Sequence, residues 1–396
     1  MKHFNDIPGY SLVTAILPRQ SAHRVLEAVL EFGGAHALTL NARGSLIKDR
    51  WYQSFLPTLS PEQEILSFLV PNDDTEPLME QIVMVGKLRM YGAGSIFATE
   101  CTSLRCAEDY PLWTPGNYRF ESTSFDIRFK KDLIALFQIA DKGEADSICR
   151  TAVKAGAQGA TISYTSGFGL RDRLGLLRIT KKREKELVTV VVDQCDVDAV
   201  YQAMAAAGRV DLPGRGFIYQ VPISQGLTNL SSVFHPKKHS ASIQQIIRAI
   251  DEMQGDTHWR ANHLLVHDPK AADFAQSTRG TITGRVVHRV VCARKDTGTL
   301  LDQALNFGVP GASVDYWRFA EANAEHTKGG LRINRELGNI TTIVNPETIE
   351  PLQATLRETI HQKDMKGACF ITYPAPSAKT FVRSAGRPAV EEPASS

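Results

Sequence analysis

The sequence predicts an α+β fold built from three ferredoxin-like split βαβ subdomains. Three observations carry that expectation. One order of short apolar strand candidates and amphipathic helix candidates recurs three times along the 396 residues. Gly34, Gly156 and Gly308 stand in step with Gly94, Gly216 and Ala368, a spacing that repeats over whole units rather than over isolated apolar runs. Each unit also breaks at the same place for a long polar excursion.

In the first unit a strand at Leu12–Leu17 leads to a helix over Ala22–Phe32, strands at Ala37–Asn41 and Glu64–Val70, a helix over Thr75–Val85 and a strand at Ser95–Glu100. The middle unit is the clearest. Leu133–Ile139 is a compact apolar strand, and Glu144–Ala155 places Ile148, Ala152 and Val153 on one helical side. Ala160–Tyr164 and the β-branched run Leu187–Val192 favour strands. Val197–Ala207 supplies the second helix and Phe217–Pro222 the last strand. The third unit repeats the order with Val286–Ala293, Thr299–Phe307, Ser313–Arg318, Asn339–Val344, Ile349–Ile360 and Cys369–Tyr373. Tyr164 and Tyr316 occupy equivalent second-strand positions.

These units set the expected boundaries: 10–100, 133–224 and 286–376, with 101–132 as an irregular cover, 225–285 as an inserted linker and 377–396 as a flexible tail. The excursions run roughly over 42–63, 165–186 and 319–338. They hold Arg43, Lys48 and Arg50; Arg171, Arg173, Arg178, Lys181, Lys182 and Arg183; and Lys328, Arg332 and Arg335. Loops projected from a rigid sheet are natural surfaces for a ligand or a regulatory protein partner, although a solvated charged surface explains any one of these residues.

Composition bounds the function. A formal charge of +2, with 43% hydrophobic and 22% charged residues, fits a globular protein and gives no case for a nucleic-acid partner. No apolar run reaches membrane-spanning length, so no membrane insertion is expected. Six cysteines occur singly, which points to a reduced cytoplasmic protein.

The stretch Ala206–Gly216 before Phe217–Pro222 is similar to the nucleotide-contacting turn and following strand of the PII signal-transduction superfamily, with Gly208–Gly216 as the ligand-turn candidate. Weaker equivalents are Val85–Gly94 and Ile360–Ala368. Over 12–100, 133–222 and 286–374 the chain resembles three fused PII-like units, which implies an intramolecular pseudo-trimer with ligand clefts between units. The resemblance also implies a small anionic ligand, an adenine nucleotide first among the candidates, and a regulatory role. Arg209, Gly214, Arg215 and Gly216 are the leading binding residues; Lys87, Arg89, Lys363 and Lys366 would serve related clefts. Physically, Gly214 and Gly216 permit close backbone approach and Arg215 offers a directional fork of donors. A tight structural turn with an exposed arginine explains the same residues, because neither a P-loop nor a Rossmann glycine pattern is present.

No catalytic set is expected. Ser224, His235, His239 and Asp251 are scattered, and His258, His263 and His267 do not by spacing alone make a metal site. Cys149, Cys292 and Cys369 are compatible with buried packing. The alternative to ligand sensing is a structural, partner-binding scaffold without a nucleotide.

Overall fold

The computed structural model describes residues 4–31, 36–44, 62–90, 93–113, 127–169, 184–229, 253, 281–322 and 331–381. In the first third of the chain β1 (Phe4–Asp6) and β2 (Tyr10–Pro18) precede α1 (Arg19–Glu31). Then come β3 (Ala37–Gly44), β4 (Glu62–Pro71), α2 (Asn72–Val85), β5 (Gly94–Glu100) and β6 (Ser103–Ala107). The middle third runs β7 (Leu133–Asp141), α3 (Ala145–Lys154), β8 (Thr161–Gly169), β9 (Glu184–Asp193), α4 (Val197–Ala207), β10 (Phe217–Ile223) and β11 (Gln225–Asn229). The last third holds β12 (Thr281–Ala293), α5 (Thr297–Phe307), β13 (Gly311–Ala322), β14 (Leu331–Val344), α6 (Ile349–Gln362) and β15 (Cys369–Thr380).

The assembly of these elements departs from the expected fold class. Three separate ferredoxin-like sheets around a pseudo-threefold axis are not formed. The fifteen strands join edge to edge into one antiparallel sheet. Nine of them close a barrel in the order β15, β10, β7, β9, β8, β3, β13, β14, β12 and back to β15. From β3 the sheet continues outward through β4, β2, β5 and β11, and from β15 through β6 and β1.

The physical reason is the fate of the edges. A strand edge presents unpaired N–H and C=O groups, and closure removes that liability. Here edges from different thirds pair directly: Arg318 with Thr39, Ala42 with Ser163, Val314 with Ser166, and Phe217 with Thr380. Segments read as cover and linker also supply strands. β6 pairs with β15, and β11 pairs with β5.

Alternation along the strands sorts the side chains into two layers. On β9, Val188, Val190 and Val192 face α3 and α4, packing with Ile148, Val200 and Met204. Val191 of the same strand points the other way, into a central core shared by all three thirds, with Leu12, Ile65, Tyr219, Val287, Leu337 and Ile371 among its members. The pair α1 and α2 covers the outer face beside β2 and β4, and α5 and α6 cover β13 and β14. Cys106 and Cys369 are register partners on β6 and β15 and are joined as a disulfide, so Cys369 is not merely a packing residue. Cys149 and Cys292 are buried and free, and burial pushes the Cys292 thiol up to about 12. Among the described residues no helix is long and apolar enough to cross a membrane.

Candidate functional site

The three glycine corners share one local device. At the end of α2, α4 and α6 the chain turns through a non-glycine residue with positive φ: Lys87 at 54°, Arg209 at 50° and Asp364 at 49°. The next amide closes back on the helix, Leu88 N to Val83 O at 2.9 Å, Val210 N to Ala205 O at 3.2 Å and Met365 N to Ile360 O at 3.0 Å. Each turn thereby buries one apolar residue, Leu88, Val210 or Met365. This is the Schellman arrangement, with its hydrophobic contact, in a position that usually holds glycine.

The leading binding residues lie on the middle corner, and their charges are already engaged. Arg215 donates to Glu144 Oε1 at 2.9 Å and approaches Asp141 Oδ2 at 3.4 Å. Arg209 donates to the same Glu144 oxygen at 2.8 Å. Gly214 has φ 76°, and its carbonyl accepts from Lys185 Nζ at 3.3 Å. Gly216, at φ 117°, lies so close to β7 that a Cβ would sit 1.8 Å from the Ile139 carbonyl oxygen. Its role is to let the corner meet the strand. Lys87, Arg89, Lys363 and Lys366 sit exposed on the other two corners, so the eight residues are not gathered into one site.

Lys185 links the middle corner to a cleft. Its ammonium pairs with Asp141, and its stem lines a space of about 400 Å³ where β8 and β9 meet β13. Lys142, Tyr164, Ser166 and Glu184 line one side; Val314, Asp315 and Tyr316 line the other. The two walls come from the middle and last thirds, joined by the pairing of Ser166 with Val314. Tyr164 and Tyr316 are 58% and 42% exposed, unusually open for large aromatic residues on strands. Arg294 covers one face of Tyr316, its guanidinium carbon 4.6 Å from the ring centre. Lys142 bonds Glu184 at 2.8 Å in an exposed pair, which raises the lysine above its ordinary pKa through that hydrogen bond. Such an exposed pair contributes little to stability.

Tyr164 and Tyr316 are legible in the sequence as matched positions. Lys142, Lys185 and Asp315 are not among the expected binding residues. Their signal is a charged residue at or just beyond a strand end, or at an inward position of an otherwise apolar strand. His235, His239, Asp251, His258, His263 and His267 lie outside the described residues, as do Lys48, Arg50, Lys328 and the basic residues of 170–183.

No protein-family profile matches the chain, and no curated protein matches it. Among solved structures, the PII protein of Arabidopsis thaliana bound to citrate is 20% identical, covering 24% of this chain and 79% of its own, with a TM-score of 0.20. An alkyldihydroxyacetonephosphate synthase is 10% identical over 59% of this chain and 39% of its own, with a TM-score of 0.15. An anthrone oxidase-like protein is 8% identical over 58% of this chain and 98% of its own, with a TM-score of 0.17. The PII likeness spans about a quarter of this chain, and at these TM-scores none of the three bears on mechanism.

Proposed function

We propose that the protein is a regulatory ligand-binding protein whose cleft between β8, β9 and β13 takes a small anion carrying a planar ring, an adenine nucleotide being the first candidate. The observation that carries this reading is the pair of open tyrosines, Tyr164 and Tyr316, on opposite walls of a cleft whose rim holds Lys142 and whose side holds Lys185. Aromatic faces stack with a base at about 1–3 kcal/mol per base, independent of sequence. A lysine ammonium is a compact partner for phosphate. The Gly214 carbonyl and Asp141 fix the Lys185 ammonium, so the middle corner acts here by positioning a cation. Adenine as the ring follows from the sequence resemblance.

The two walls belong to different thirds of the chain, so a ligand would bridge them and report its presence through their relative position. No catalytic step is assigned to the cleft. β8 ends at Gly169 and β9 begins at Glu184, and the six basic residues between them in sequence suit a partner that reads the bound state.

Calorimetric titration of the full chain with ATP, ADP and AMP tests the reading. Saturable binding that falls about 5-fold or more in Tyr164→Ala, as expected for the loss of about 1 kcal/mol or more of stacking, supports it. Absence of heat for all three nucleotides with folded protein would favour the partner-binding scaffold.

A further inference from the structure

Beneath the cleft, inside the sheet, lies a chamber of about 70 Å³. A water needs about 10–15 Å³ of such space, so the chamber has room for a small polar occupant. Leu12, Phe97 and Tyr219 make part of its wall apolar, yet a guanidinium and a carboxyl group also open on it. Arg289 is 7% exposed and Asp315 is 5% exposed.

The two groups do not meet. Asn339 stands between them, its Oδ1 accepting from Arg289 Nε at 2.9 Å and its Nδ2 donating to Asp315 Oδ2 at 3.0 Å. A guanidinium has five N–H donors. Besides the bond to Asn339, Arg289 bonds the Tyr373 hydroxyl, and among the described residues its other donors have no acceptor. Asp315 is lopsided in the same way. Its Oδ2 also receives Trp317 Nε1, whereas Oδ1 receives no donor among the described residues. Ser163 lines the same chamber, is 1% exposed, and its Oγ has no hydrogen-bond partner among the described residues.

Buried polar groups are normally satisfied, and unused capacity on three of them around one space calls for a polar occupant. A simple anion would face Asp315, and a simple cation would face Arg289. A molecule carrying both charges answers both walls. We propose that the chamber binds a small zwitterion of about glycine size, its carboxylate on Arg289 and its ammonium on Asp315. Asp315 lines both the chamber and the outer cleft. This inference rests on the chamber residues and does not depend on nucleotide binding.

Calorimetric titration of the full chain with glycine is the test, with acetate and methylammonium as the two half-ligands and leucine as a size control. Saturable glycine binding is expected, with each half-ligand at least tenfold weaker and leucine excluded. Asp315→Asn, which keeps the shape, and Ser163→Val, which fills the space, should each weaken glycine at least tenfold while circular dichroism is unchanged. Acetate binding as tightly as glycine would overturn the proposal in favour of an anion site. Should both variants misfold, a crystal structure of the unaltered chain soaked in glycine decides. Glycine between Arg289 and Asp315 supports the proposal, and ordered water alone overturns it.

Discussion

Arg43, at the end of β3, grips Asp146 in the first turn of α3 through two hydrogen bonds, of 2.7 and 3.0 Å. A strand of the first third is thereby clamped to a helix of the middle third. Behind the fork lies Glu186, its side chain 4% exposed, 3.5 Å from the same guanidinium and accepting the backbone amides of Gly143 and Ala145. Arg43→Met removes the fork and leaves a buried carboxylate short of its cation. The expected loss is about 1–3 kcal/mol in denaturant unfolding. Arg43→Lys should recover only part of it, since an ammonium cannot reproduce the two-bond geometry.

Gly94 and Gly216 should tolerate no side chain. Their φ values are 128° and 117°, and a Cβ would lie 2.1 Å from the Ile16 carbonyl oxygen and 1.8 Å from that of Ile139. Both contacts are with backbone, which cannot swing aside. Gly216→Ala and Gly94→Ala are each expected to cost roughly 2–4 kcal/mol, read from the unfolding midpoint.

Lys87→Gly should do the opposite. Lys87 is exposed and holds φ 54° at the end of α2, a conformation that costs an L-residue roughly 1–2 kcal/mol and glycine almost nothing. Part of that gain is returned through the greater freedom of glycine in the unfolded chain. A net stabilisation of about 0.5–1 kcal/mol is expected. It is measured as a rise in the urea midpoint at unchanged slope.

His288 sets a pH dependence. It is fully buried on β12, its Nδ1 is 3.2 Å from Thr372 Oγ1, and burial lowers its pKa to about 4 from 6.5. The neutral ring is the folded form, so the unfolded chain binds the proton more readily. Stability is full above pH 6.5 and is lost as pH falls towards 4, by about 3 kcal/mol from this residue. His288→Asn keeps a polar atom near Thr372 without the titration. The difference in stability between the two proteins should shrink or reverse in favour of the variant across that window. A constant difference would remove His288 as the source.

Much of the local structure is legible in the sequence, and the assembly is not. Val197–Ala207 is the helix that its spacing predicts, because one apolar stripe and a following glycine suffice to mark it. Strands are read short where proline or glycine interrupts. β15 runs on through Pro374 and Pro376 to Thr380 because Ala375 and Lys379 still pair with β12 and Tyr219 with Ala378. Period-two alternation says which side of a strand faces inward, but not which strand lies beside it. The pairing of Arg318 with Thr39, 279 residues away, is therefore invisible, and with it the closure of the barrel. The site divides the same way. Tyr164 and Tyr316 stand out as matched positions, whereas Arg209 and Arg215 look available in sequence and are engaged by Glu144 in the fold. Arg289 is missed by the sequence reading, although it stands in step with Val287 and Val291, two inward residues of β12.

A structure of the full chain with ATP bound tests the central claim most directly. The expected result is the adenine ring in the cleft against Tyr164 or Tyr316, with phosphate within hydrogen-bond distance of Lys142 or Lys185. Nucleotide held instead at the Lys87 or Lys363 corners, with the cleft empty, would contradict it.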